Sequence, residues 1–322
     1  MTYAGINYII NYMVKLVECI PNISEGRDKQ VIEALAEAAR SVPGAALLDY
    51  SSDVDHNRSV YTLLGNPEEV AEAAFRMCVI ARDRIDMTKQ TGAHPRIGAA
   101  DVVPFVPMRG CGMDECVELS KKFAARIYSE LSIPCFLYEE SCTSENRRRL
   151  ASIRKGEFEG LNRKLLLSEW APDFGKREIH PTAGATAVGA RQPLVAFNMN
   201  LDTADLAVAK TIAKKIRESG GGFRFCNAIG VMLASRGVAQ VSVNMRNCYV
   251  TPLHSVFEAV EAEAGKYGAS VTDSEIIGLA PARALIDGAC YYMKLKNFDS
   301  THQVLDNRLL EWGFGCLGQN PE

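Results

Sequence analysis

Ala45-Ala46-Leu47-Leu48-Asp49-Tyr50 and Ser59-Val60-Tyr61-Thr62-Leu63-Leu64 read as two strands in succession, parted only by the polar loop 51–57. Asn66-Pro67-Glu68-Glu69 follows at once as a helix start. Asn66 can cap, Pro67 suits the first turn, and Glu69 can close a capping box. Val70, Ala73, Ala74, Met77, Ile80 and Ala81 give that helix one apolar face. Upstream, residues 14–20 alternate as a strand, and Asp28 precedes a helix with Val31, Ile32, Leu35, Ala38 and Ala39 on one side. Downstream, 101–106 reads as the closing strand. The order is β-α-β-β-α-β, that of a ferredoxin-like unit.

The same order recurs in the second half. A strand at 194–201 leads to a helix that Asp202 or Thr203 can cap and that runs to about Ser219. A hairpin, 229–234 and 238–245, turns around Arg236-Gly237; a helix opens at Thr251-Pro252, 270–277 closes the set, and 281–293 trails as a helix. Between the halves lie a helix near 114–131, a short strand at 135–138, a basic helix from Asn146 and a glycine-punctuated loop, 173–189. The expected class is α+β: two ferredoxin-like (βαββαβ) subdomains, 13–192 and 193–322, each with a four-stranded sheet and with a ligand cleft between them. Residues 1–12 read as an upstream extension or a misplaced start, because Met13 directly precedes the first strand.

Composition narrows the partners. A net charge of −3 over 322 residues speaks against bulk binding of nucleic acid or anionic membrane, which needs a large basic surface. No apolar run approaches the roughly 20 residues of a membrane-spanning helix. The ten cysteines include no Cys-x-x-Cys pair and several sit in apolar runs, which fits reduced, buried thiols in a cytoplasmic protein. The five histidines lack metal-ligand spacing, so no metal site is expected.

Three loops carry candidate chemistry. Thr91-Gly92-Ala93-His94-Pro95-Arg96-Ile97-Gly98 sets a histidine beside an arginine in a stretch stiffened by Pro95. Imidazole, with an unperturbed pKa of about 6.5, can take and give a proton near neutrality. The same spacing also fits a loop histidine bonded to a backbone carbonyl. The loop 51–58 packs acids, His56, Asn57 and Arg58 together, a composition able to grip carboxylate and ammonium groups and equally common in solvated turns. Gly175-Lys176-Arg177-Glu178-Ile179-His180-Pro181-Thr182-Ala183-Gly184 joins the halves, with Arg191 after it; its cations could meet an acidic ligand. Gly220-Gly221-Gly222 follows a helix and lacks the Gly-Lys-Ser/Thr ending of a phosphate loop. His254, in the first turn of a helix, reads as a capping or packing residue.

Leu-Val-Glu-Cys-Ile-Pro-Asn-Ile-Ser-Glu-Gly (16–26), Asn-Arg-Ser-Val-Tyr-Thr (57–62), Gly-Ala-His-Pro-Arg-Ile-Gly-Ala-Ala-Asp-Val-Val-Pro-Phe (92–105), Pro-Asp-Phe-Gly (172–175) and Val-Gly-Ala-Arg-x-Pro-Leu-Val-Ala-Phe-Asn (188–198) together resemble the glutamate formiminotransferase family. The same family supplies the amino-terminal part of formiminotransferase-cyclodeaminase. The resemblance runs from about Met13 to about Met293. It implies a homodimer that transfers a formimino group between N-formimino-L-glutamate and tetrahydrofolate, with His94 catalytic and Gly175–Gly184 contacting the folate. Tetrahydrofolate would be a co-substrate. Asn57, Arg58 and Arg96 are the candidates for the glutamate side. The family's assisting aspartate falls at Ser51, so Asp49, Asp53 or Asp55 would have to supply that acid, or the role is lost. The cyclodeaminase half has no counterpart, which implies release of the product to another enzyme. Formyl transfer from 5-formyltetrahydrofolate to glutamate, or folate binding without catalysis, are the alternatives.

Overall fold

The computed structural model describes residues 15–311; the expected extension 1–12 and the start of the first strand at Val14 lie outside them. The chain divides into two compact units between Pro193 and Leu194.

The first unit contains, in order, β1 (Val17–Cys19), β2 (Asn22–Ile23), α1 (Lys29–Arg40), β3 (Ala45–Asp53), β4 (Arg58–Gly65), α2 (Pro67–Arg84), β5 (Ala100–Pro107), α3 (Met113–Leu131), β6 (Cys135–Glu139), α4 (Leu150–Arg154), α5 (Glu157–Leu165) and β7 (Thr186–Ala190). The expected first strand, 14–20, appears as β1, and Pro21, which has no N–H to give to a ladder, separates it from a second short piece, β2; the Pro21 carbonyl accepts from Tyr61 N at 3.1 Å. Both pieces lie between β4 and β5, and β3 pairs with β4. This is the antiparallel ferredoxin-like arrangement. The helix starts follow the sequence: the Asp28 carboxylate accepts from Gln30 N and Val31 N, and the Asn66 side chain accepts from Glu68 N.

The sheet does not stop at four strands. β7 pairs in parallel with β5, and β6 in parallel with β7, giving a seven-stranded sheet. The loop expected over 173–189 therefore ends in a strand. Thr-Ala-Val-Gly-Ala shows no alternation because every residue of β7 is buried, as in a strand covered on both faces. Side-chain alternation along β5, β6 and β7 feeds two layers. Val103, Phe105, Leu137 and Val188 join the core with α1–α3. Val102, Phe136, Tyr138 and Ala187 pack with Ile153 of α4 and Leu161 and Leu165 of α5.

The second unit has β8 (Val195–Leu201), α6 (Leu206–Ile216), β9 (Cys226–Leu233), β10 (Val238–Met245), α7 (Leu253–Gly265), β11 (Val271–Ile277) and α8 (Ala282–Met293). Its sheet has the expected four strands, ordered β11-β8-β10-β9 with every pair antiparallel. Phe197, Met199, Val241 and Val243 pack against Ala209, Ile212, Val256 and Val260. The start of α6 differs from the sequence reading. Asp205, not Asp202 or Thr203, caps it, accepting from Ala207 N at 2.8 Å. Asp202 is instead spent on Ser270, accepting from its N–H and its hydroxyl. His254 is a packing residue, its ring stacked on Tyr291 at 4.3 Å between centroids.

Candidate active site

The site lies in the first unit, where the β3–β4 turn meets the segment between α2 and β5. Asn57 makes the junction. Its backbone is left-handed (φ 48°), its Oδ1 accepts from Gly26 N at 2.9 Å, and its Nδ2 donates to Thr91 O at 3.0 Å and to Gln90 Oε1. Ala93 N donates to Asp55 O at 3.0 Å. Backbones approach so closely that a Cβ on Gly92 would sit 2.4 Å from His56 O. Any larger residue there would push the His94 segment off the turn. Glu25 completes the frame, accepting from Arg27 N, Asp28 N and Gln90 Nε2.

His94 stands where these segments cross. Nδ1 lies 2.8 Å from Pro95 O, and Nε2 is in contact with Nη1 of Arg58. A carbonyl can only accept and a guanidinium can only donate. The proton therefore sits on Nδ1, the ring is neutral, and the lone pair of Nε2 faces Arg58. Burial, followed by the charges of Arg58 and Arg154, holds the imidazole well below its usual range; the Pro95 bond opposes this and His56 adds to it. The His56 ring lies 5.9 Å from that of His94. Arg58 is pushed down to about 10, by burial first and then by Arg154, with Asp101 and Asp53 opposing. Among the described residues Arg58 forms no ion pair.

The other candidates separate into supports and free groups. Arg96 is 8% exposed and spent on the protein: Nη1 donates to Glu157 at 2.7 Å, and Nη2 to Glu159 at 2.9 Å and Gln90 O at 2.5 Å. It ties the His94 segment to α5, as Asn57 ties it to the turn. In the segment Gly175–Gly184, Lys176, Arg177 and Glu178 are exposed, and among the described residues neither cation has an ion pair. The far end of this segment is fixed. His180 and Gly184 exchange backbone hydrogen bonds, and His180 Nδ1 accepts from Ala183 N at 3.0 Å. Gly98 and Gly184 form an antiparallel bridge, which sets this end against the His94 segment. Gly184 (φ +71°) is required twice, by its left-handed backbone and because a Cβ would lie 2.2 Å from Ile97 O. Ile179, Pro181, Thr182 and Ala183 complete the turn, with Thr182 O accepting from Met87 N at 2.8 Å.

Of the acids weighed for the Ser51 position, Asp53 stands opposite Arg58 in the β3–β4 ladder and acts on its charge. Sequence reasoning missed Asp101 and Arg154. Asp101 is 1% exposed; its Oδ1 accepts from Ile97 N at 2.7 Å and its Oδ2 from Arg154 Nε at 2.9 Å. The available signal was an aspartate inside an otherwise apolar buried strand, Ala-Asp-Val-Val-Pro-Phe, which demands a partner. Arg154, 53 residues away, carried none. Among the described residues no three His, Cys, Asp or Glu side chains cluster as a metal site, and no helix is long and apolar enough to cross a membrane.

Comparison with known proteins adds to this geometry. Residues 16–191 match the model of the formiminotransferase domain, N-terminal subdomain, and 196–310 that of the formiminotransferase domain. The glutamate formimidoyltransferase of Streptococcus pyogenes serotype M1 is 57% identical over 298 residues, covering 92% of this chain and 100% of that one. That of Thermoplasma acidophilum is 41% identical over 298 residues, covering 92% and 98%. The formimidoyltransferase-cyclodeaminase of Sus scrofa is 43% identical over 291 residues; the match takes in 88% of this chain and 54% of that protein, about half its length.

Proposed function

The chain belongs to the formiminotransferase family, and from that membership and the His94 site we infer that it moves the formimino group of N-formimino-L-glutamate to tetrahydrofolate, giving 5-formiminotetrahydrofolate and L-glutamate. The observation that carries the mechanism is the neutral His94 ring, its tautomer fixed by Pro95 O and its Nε2 lone pair turned to a cation.

The bond changes need one group that can hold a proton for a moment. N5 of tetrahydrofolate attacks the formimino carbon, forming the C–N5 bond and a tetrahedral intermediate. Nε2 of His94 takes the proton that N5 loses. The bond between that carbon and the glutamate nitrogen then breaks, and Nε2 returns the proton to the leaving nitrogen. No net proton is consumed, and one histidine within reach of both nitrogens suffices, a contribution of typically 10²–10⁴-fold.

Arg58 is the substrate contact in this reading. Its guanidinium covers the lone pair that must take the proton, and among the described residues no carboxylate is paired with it. A glutamate carboxylate is a stronger acceptor than imidazole and would draw Arg58 away, freeing Nε2. Asn57 and Arg96 hold the loops and leave the substrate to Arg58. Segment 175–184, with Lys176 and Arg177, meets the folate and its glutamyl carboxylate. Homodimeric assembly and a cytoplasmic location belong to the same reading on the family resemblance; light scattering after gel filtration tests the first.

The test is turnover of His94→Ala with N-formimino-L-glutamate and tetrahydrofolate. The expected result is a kcat lower by roughly 10²-fold or more with folate binding retained. Near-normal turnover would overturn the assignment. Parallel assays with 5-formyltetrahydrofolate and glutamate show whether the formyl group is also moved.

A further inference from the structure

The His94 segment is held on its far side by a pair of charges that the reaction itself does not use. Asp101, on β5, accepts from the backbone N–H of Ile97, three residues beyond His94, and from the guanidinium of Arg154 on α4. Both side chains are nearly withdrawn from water. Asp101 is thus bonded both to the backbone of the His94 segment and to a cation whose field reaches His94 and Arg58. A buried pair of this kind is a weak source of stability, because desolvation offsets most of the attraction. Its place beside the reacting histidine asks for another account.

We propose that Asp101 and Arg154 form the positioning unit of His94: the carboxylate fixes the segment that carries the imidazole, and the two opposite charges set the balance of charge around it. The proposal rests on the reading of His94 as the proton carrier. The charged and titratable groups that act on His94 are Arg58 and His56 from the β3–β4 hairpin and Arg154 from α4, while Asp53, opposite Arg58, and Asp101 from β5 act on Arg58, and Asp101 also pairs with Arg154. Without Arg154 the site loses a cation that opposes protonation of the ring. Without the charge of Asp101 it keeps Arg154 and loses the anion that balances it. The two changes therefore push His94 in opposite directions, and removing both charges returns it toward its starting point. A pair that served only to hold α4 in place would not produce opposite signs.

The experiment follows the His94 ring by NMR titration of ¹⁵N-histidine-labelled full-length protein, in Asp101→Asn, Arg154→Gln and the double variant, beside the pH profile of kcat/KM. The expected result is a midpoint displaced to lower pH in D101N, to higher pH in R154Q, and close to the parent protein in the double variant. D101N should also lose roughly 10- to 100-fold in kcat, the loss expected when a reacting group is held slightly off position, with KM changed far less. Displacement in one common direction, or none in variants whose circular dichroism is native, overturns the proposal. Should one single variant fail to fold, the sign in the other and the recovery in the double variant still decide. The NMR midpoint does not depend on turnover. Opposite shifts in the spectra with an active His94→Ala would sink the catalytic reading and leave the positioning unit standing.

Discussion

At the residue scale the site turns on which atom of His94 holds the proton. Pro95 O claims Nδ1, so in the proposed mechanism Nε2 is the atom left to act as the base. Burial and the two arginines favour the neutral ring, so the acid limb of kcat/KM should fall below the ordinary imidazole value of about 6.5, and the limb should be missing in His94→Ala. The sign for stability follows from the same displacement. The folded protein resists a proton that the unfolded chain accepts, so stability contributed by neutral His94 is intact above about pH 6.5 and is lost as pH falls from there toward the folded value. Denaturant midpoints in His94→Ala should depend less on pH across that window. For Arg58 the relevant quantity is KM. Arg58→Ala removes a charge-assisted contact of about 1.5–3 kcal/mol, so KM for N-formimino-L-glutamate should rise roughly 10- to 100-fold. An unchanged KM would assign Arg58 to structure alone.

At the element scale the loops, not the sheets, decide the chemistry, and this sets what could be read in the sequence. The regular elements were legible because each advertises itself: Asp28 and Asn66 cap the helices they precede, and the strands alternate. Strand β7 was not, because its buried Thr-Ala-Val-Gly-Ala carries no period, and its pairing with β5 and β6 is set by residues far off in the chain. His94 was visible as a stiffened loop histidine, whereas the work of Asn57 and Arg96 as ties was not. Their residue types suit a ligand as well as a neighbour, and only folding brings Gly26, Thr91, Glu157 and Glu159 to them. The segment Gly175–Gly184 has one pinned end, through His180 and Gly184, and one charged end, at Lys176 and Arg177. Reversing both charges, Lys176→Glu with Arg177→Glu, should weaken tetrahydrofolate binding by roughly tenfold at low ionic strength and by less as salt is raised. Calorimetric titration at two salt concentrations checks this, and equal affinities at both would remove these cations from the folate site.

At the scale of the whole molecule, two cores have been built from one order of elements. The core of the second unit draws on Val195 through Ala284, and the two core layers of the first draw on residues up to Ala190. The first unit has been enlarged around its ferredoxin-like frame by β6, β7, α4 and α5, and those additions bear on His94: α4 carries Arg154, and α5 carries the acids that anchor Arg96. The second unit keeps the bare four-stranded plan, with α6 and α7 covering one face of a sheet whose register runs unbroken from Val195 to Gln240 across β8 and β10. The residues of its core pack on one another, and a segment of about 130 residues is long enough to bury most of the surface its core needs. Expressed alone, residues 194–322 should therefore fold and lose structure in one cooperative transition, with a stability of about 5–10 kcal/mol. Far- and near-ultraviolet circular dichroism should give coincident urea transitions. A broad, non-coincident transition with strong dye binding would show instead that the second unit needs the first to complete its packing. On the proposed mechanism the isolated segment should have no transferase activity in either case, since His94 and its described partners Arg58 and Pro95 belong to the first unit.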